Sequence, residues 1–148
     1  MRAEYMKLAL EQARAALKQG EVPVGAVVVC DGQVVASAHN EREQLLDPTA
    51  HAEVLALRRA AKRLGRRRLS DCTLYVTLEP CPMCAGAIVM ADVGSVVYGA
   101  WDEQAGCAGS VYALPEDPAF GKKIPCMGGL MEDECREILG AFFGEKRE

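Results

Sequence analysis

Two short motifs bring metal-ligating and proton-carrying side chains into one pattern: His51-Ala52-Glu53 and Pro80-Cys81-Pro82-Met83-Cys84. Cys81 and Cys84 are three residues apart, so one helical turn sets both sulfurs on the same face, within reach of a single ion. The positive end of that helix favours their thiolates. His51 adds an imidazole nitrogen. Three protein ligands leave a tetrahedral Zn²⁺ one position for water, the arrangement of a catalytic rather than a structural zinc. Such an ion lowers the pKa of its water towards ~7 from ~15.7 in bulk, which is about 12 kcal/mol towards hydroxide. Glu53 stands two residues beyond His51, beside the water and off the metal, where it can carry protons.

Taken singly, each part has a plainer reading. A lone histidine at a helix start is more often a capping or core residue. A lone Cys-x-x-Cys also fits a redox dithiol. A closed four-ligand zinc would need Cys107 or Cys126 brought inward by its loop. The joint pattern of H-x-E followed by P-C-x-x-C is far more specific, and it is the known signature of the zinc nucleobase deaminases.

The elements that must position these motifs follow from periodicity. Met6, Ala9, Leu10, Ala13 and Leu17 keep helical spacing, and Gly20 supplies the stop. Val24–Cys30 and Gln33–His39 are β-rich runs joined by Asp31-Gly32, a tight-hairpin signal. A polar loop reaches Asp47, which reads as an N-cap with Pro48 at the first helical position, and this helix runs through His51 to Leu64 before Gly65. Thr73–Leu78 is a strand, a helix from Cys81 or Pro82 runs to Ala91, and Ser95–Gly99 is another strand. Residues 100–124 are irregular, Ile124–Met127 is a short strand, and Glu132–Phe143 is a helix with Cys135, Ile138, Leu139 and Phe142 along one stripe. The 27 residues between Glu53 and Cys81 hold a helix and a return strand, so both helix starts can meet at one sheet edge. The expected fold is a three-layer α-β-α sandwich with a central mixed sheet of about five strands, one domain over residues 1–148.

Composition narrows the setting. Among 148 residues, 50% are hydrophobic and 26% charged, enough for one core without disulfide staples. The net charge of −4 argues against a wholly basic nucleic-acid binder. The longest apolar stretches fall short of the ~20 residues that span a bilayer, so no membrane partner is expected. The charged residues of the first twenty positions are unlike a secretory signal. The seven cysteines, an odd and mostly scattered set, fit a reducing compartment, and the expected location is cytoplasmic. Cys30 and Cys135 read as buried thiols.

Beyond the metal motif the chain resembles the bacterial tRNA-specific adenosine deaminases, within the cytidine deaminase superfamily, from about Glu4 to Phe143. The likeness rests on Gly20-Glu21-Val22-Pro23-Val24-Gly25-Ala26-Val27, on Asp47-Pro48-Thr49-Ala50-His51-Ala52-Glu53, and on the run from Leu74 through Glu79-Pro80-Cys81-Pro82-Met83-Cys84 to Ala87. Gly106, Ala108, Gly109 and Ser110 match the family's small-residue loop. The resemblance implies a hydrolase with one Zn²⁺ per subunit on His51, Cys81 and Cys84, and Glu53 as general acid and base. It implies that Asn40 hydrogen-bonds the target base, that the backbone at Ala52 and Glu79–Pro80 borders base and water, that Val22 packs near the purine, and that Asp102 lies near the nucleotide sugar. It implies a homodimer acting on the anticodon stem-loop of a tRNA, converting the wobble adenosine to inosine. An anticodon loop is already single-stranded, so presenting the base costs less than opening a duplex.

Several positions depart from the family pattern and bear on substrate. Trp101 stands where Arg or a small residue is usual, and it either stacks on a base or packs at the dimer contact. Gly121-Lys122-Lys123 replaces Asn-His-Arg, and the tail Gly144–Glu148 is neutral instead of basic. Arg58–Arg68 gathers seven basic residues, leaving ten basic against 21 acidic elsewhere; it is either a grip on RNA phosphates or a solvated helix end. The rival readings are a deaminase of a free nucleobase or nucleoside, of guanine or cytosine type, and a non-enzymatic zinc-stabilised RNA-binding module.

Overall fold

In the computed structural model, residues 2–147 are described, with side chains to residue 144. The first helix, α1 (Ala3–Lys18), buries Tyr5, Met6, Ala9, Leu10 and Ala13 along one stripe and stops before Gly20. Strands β1 (Gly25–Cys30) and β2 (Gln33–His39) form the expected hairpin. Its turn uses positive φ at both Asp31 (51°) and Gly32 (74°), which matches the right-handed twist of the strands. A four-residue helix, α2 (Arg42–Leu45), precedes α3 (Ala52–Leu64). Then come β3 (Cys72–Leu78), α4 (Pro82–Ala91), β4 (Ser95–Ala100), the short β5 (Cys126–Met127) and α5 (Glu132–Arg147).

The sheet order is β2-β1-β3-β4-β5. β1 runs antiparallel to both neighbours, whereas β3, β4 and β5 are parallel, so the sheet is mixed. Alternation along β1 sends Ala26, Val28 and Cys30 to the core under α3 and α4, and Val27 and Val29 to the core under α1. Helix α5 closes that second face, with Cys135 fully buried against Gly99 of β4. The three-layer expectation therefore holds.

Two local expectations fail. Asp47 and Pro48 do not start a helix: Asp47 Oδ1 accepts from the backbone N–H (2.9 Å) and hydroxyl (2.7 Å) of Thr49, closing a turn of its own. The helix begins four residues later than expected, at Ala52, with His51 as its N-cap residue in extended conformation. The second failure is α2, read from the sequence as polar loop. Its first-turn N–H groups, at Glu43 and Gln44, donate to Glu21 Oε2, a capping group more than twenty residues upstream that no local pattern reveals.

Gly25 is where α1 lies closest to the sheet. A Cβ there would sit 1.9 Å from the Ala9 carbonyl oxygen and 2.6 Å from the Ala13 nitrogen, both backbone atoms that cannot rotate away. Gly25→Ala is expected to destabilise by about 2 kcal/mol or more, because the whole helix must shift. For a domain of this size that lowers Tm by at least about 4–8 °C in a thermal melt.

Candidate metal centre and active site

The two motifs meet where the expectation placed them, at the N-termini of α3 and α4. His51 is the N-cap residue of α3, Cys81 that of α4, and Cys84 lies in the first turn of α4 behind Pro82. His51 Nδ1 is 3.7 Å from Cys81 Sγ and 3.6 Å from Cys84 Sγ, and all three donor atoms lie within 4.8 Å of one another. With Zn–S near 2.3 Å and Zn–N near 2.0–2.1 Å, the S···N edge of a tetrahedral site is about 3.6 Å. The donor set therefore fits a zinc-type ion in both chemistry and spacing.

The electrostatics agree with that fit. Cys81 accepts from the Cys84 thiol and lies beside His51, which together pull its pKa down to about 4. Cys84 is held up as a thiol by that same bond and by burial, and the Cys81 thiolate raises the pKa of His51. A cation at the centre would replace the shared protons and favour both thiolates. Glu53 is buried (3% exposed), with Oε1 lacking a hydrogen-bond partner among the described residues. Burial pushes its carboxyl up to about 7. A buried carboxyl with one oxygen unpartnered and a pKa near neutrality, beside a three-donor cluster, has the chemistry to exchange a proton with a bound ligand.

A cleft of about 220 Å³ opens over these groups, lined among others by Val22, Asn40, Arg42, Glu53, Leu78 and Asp102. It is smaller than the ~300–1,000 Å³ of drug-sized sites, which suits a single small ring system. Asn40 is buried, and its Oδ1 accepts from the Ala52 N–H at 2.8 Å. That bond fixes the orientation of the amide and leaves its NH₂ as the group Asn40 can offer to a ligand. Pro80 keeps its carbonyl engaged with the Cys107 N–H at 2.8 Å, tying the 102–110 loop to the start of α4.

Two contributions went unread in the sequence. Arg42 lines the cleft from α2, with no spacing signal to mark it. The side chain of Glu79 organises the far wall: its carboxylate accepts from the N–H groups of Asp102, Ala108 and Ser110 and from the Ser110 hydroxyl. Asp102 in turn caps its own turn through the Gln104 and Ala105 N–H groups.

Trp101 is half-buried, edge-on to Tyr98 at 5.9 Å and lying over Gly129, where a Cβ would come within 2.7 Å of the ring. It borders a second depression next to the cleft, with Val22, Leu78, Asp102 and Arg136. Within the basic stretch, Arg59 donates to the Ser37 carbonyl and pairs with Glu41, and Arg66 pairs with Asp71. Lys122 and Lys123 pair with Asp92 and Glu116. The end of the neutral tail lies outside the described side chains. Among the described residues, no helix is long and apolar enough to cross a membrane.

A mixed five-stranded α/β sandwich that gathers His, Cys and Cys at two helix N-termini beside a buried glutamate has the frame of a nucleobase deaminase. The chain matches the MafB19-like deaminase family over residues 2–145. It is 48% identical to the tRNA-specific adenosine deaminase of Bacillus subtilis, over 97% of this chain and 89% of that one. Among solved structures, one from studies of A-to-I editing by tRNA A34 deaminases superposes with a TM-score of 0.89 at 44% identity, covering 93% of this chain and 99% of that one. A guanine deaminase from Nitrosomonas europaea gives 0.85 at 25% identity, with 97% and 85% coverage. The chain belongs to the tRNA-specific adenosine deaminase family.

Proposed function

We propose that this protein hydrolytically deaminates adenosine to inosine at the wobble position of a tRNA anticodon. The observation that carries the chemistry is the buried, partnerless Glu53 oxygen beside the His51–Cys81–Cys84 cluster. The choice of substrate is supported by likeness over nearly the whole chain, 97% of it at 48% identity to a tRNA-specific adenosine deaminase and 93% of it at a TM-score of 0.89 to a tRNA A34 deaminase, whereas a guanine deaminase from Bacillus subtilis, 45% identical, covers 68% of it at 0.64.

His51, Cys81 and Cys84 would hold one Zn²⁺ per subunit. The ion, when bound, supplies a water acidic enough to attack at neutral pH. Glu53 takes the proton of the attacking water at its Oε1 and passes it to a ring nitrogen of the adenine, then assists the departing ammonia. Asn40 donates its NH₂ to the base, while the Ala52 and Glu79–Pro80 backbone borders base and water. Val22 packs on the purine, and Asp102 sits towards the sugar. The protein works as a homodimer, a reading supported by the exposed apolar side chains of Met90 (78%) near the end of α4 and Tyr112 (64%) in the loop after β4; its scattered free cysteines fit the cytoplasm.

The test is inosine formation in a tRNA carrying adenosine at the wobble position, with Glu53→Ala as the blank. Efficient conversion that vanishes in the blank is the expected result. No conversion by a zinc-loaded dimer overturns the substrate assignment and moves it to a free base or nucleoside, of guanine or cytosine type.

A further inference from the structure

The end of the sheet opposite the cleft carries a second convergence of metal-ligating atoms. Cys30 is the last residue of β1 and Cys72 the first of β3, and they face each other directly across the antiparallel pair. Both are buried, on the α3 side of the sheet. Asp71 precedes Cys72, and each thiol donates to it: Cys30 Sγ to Oδ2 at 3.5 Å, Cys72 Sγ to Oδ1 at 3.6 Å. The three ligand atoms lie within 4.8 Å of one another.

These lengths match those of the His51 cluster, 3.6 and 3.7 Å, in the same molecule. They also match the S···O edge of a tetrahedral zinc site, about 3.6 Å from bond lengths near 2.3 and 2.1 Å. A cationic group already sits at the mouth. Arg66 donates to Asp71 Oδ1 at 2.7 Å and lies 3.9 Å from Cys30 Sγ. That ion pair is exposed to solvent on both sides, so its release from Asp71 costs little, while the guanidinium keeps its bond to the Arg68 carbonyl at 2.7 Å.

We propose that Cys30, Asp71 and Cys72 form a second binding site for a thiophilic divalent cation such as Zn²⁺, distinct from the His51 cluster. The length of β3, roughly 20 Å, separates the two. Binding releases two thiol protons, forms two metal–sulfur bonds and one metal–oxygen bond, and displaces the Arg66 guanidinium from Asp71. No electrons are transferred. The filled site joins the end of β1, the start of β3 and the loop after α3.

The experiment is Co²⁺ titration of the reduced, metal-stripped full-length protein, read by thiolate-to-cobalt absorption and by native mass. Wild type is expected to take two ions per chain, and Cys72→Ala one, with unchanged deamination per filled His51 site. Arg66→Ala, which leaves every ligand in place, is expected to bind the second ion several-fold more tightly. Saturation at one ion in both wild type and Arg66→Ala overturns the proposal, as does a second ion that persists in Cys72→Ala. A Cys30–Cys72 disulfide, seen as a reductant-reversible loss of two mass units with no second ion in the reduced chain, overturns it as well.

Discussion

Glu53→Gln is expected to reduce inosine formation by at least about 10³-fold while the protein keeps its metal and its fold. General acid–base catalysis by a positioned carboxyl contributes about 10²–10⁴-fold, and in the proposed mechanism one residue serves both the attack and the departure of ammonia. Glutamine has the same shape and fills the same buried space, so the cleft stays intact. It can neither accept the proton from the water nor return it to the ring. The stability side of the argument runs the other way. Glu53 is buried, its Oε1 has no partner, and burial already raises its carboxyl to about 7, so the fold does not depend on its charge. Replacing a buried ionisable group by a neutral amide should leave Tm unchanged or slightly higher, the usual relation at a site shaped for chemistry. Single-turnover inosine assays, zinc content by mass spectrometry and a thermal melt check all three statements. A variant retaining a tenth of wild-type turnover would remove Glu53 from the proton path.

Much of this centre is legible in the sequence alone. The three-residue spacing of Cys81 and Cys84 requires a helical turn, and Pro82 at its first position made that turn readable. The His51 helix was harder. Asp47-Pro48 is a strong local start signal, yet Thr49 captures the aspartate, and tertiary packing of Ala52, Leu55 and Ala56 decides where the helix begins. What stayed hidden shares one physical cause: it depends on contacts between residues far apart in sequence. Glu21 caps α2 from across the chain, and Arg42 reaches the cleft only because α2 exists. Cys30 and Cys72 become a pair only once the register of β1 and β3 is set. Trp101, weighed as a base platform or a dimer contact, packs on Tyr98 and the Gly128–Gly129 backbone while still bordering the depression beside the cleft.

Glu79 shows how far a buried charge can shape a cleft without lining it as a catalyst. Its two oxygens collect the N–H groups of Asp102 (2.9 Å), Ala108 (3.1 Å) and Ser110 (2.8 Å), plus the Ser110 hydroxyl. Gly106 lies against the same carboxylate, since a Cβ there would stand 2.4 Å from Glu79 Cδ. In the 102–110 loop Cys107 and Ala108 are buried, and these bonds add to that packing and to the Pro80–Cys107 bond in fixing its backbone. Glu79→Gln sets an NH₂ against at least one backbone donor in either orientation, because the Ser110 hydroxyl can turn to accept and the backbone N–H groups cannot. The expected cost is about 2–3 kcal/mol, or roughly 4–12 °C in Tm. Glu79→Ala orphans all four donors and should cost more, about 3–5 kcal/mol. The kinetic consequence separates this residue from Glu53. Asp102 and Ala105 reach the cleft from this loop, so loosening it should raise KM on the tRNA about tenfold or more and change kcat far less. The metal should stay, because His51, Cys81 and Cys84 are held by the helices. A Glu79→Gln protein with wild-type Tm and KM would mean that the loop is held by something other than this carboxylate.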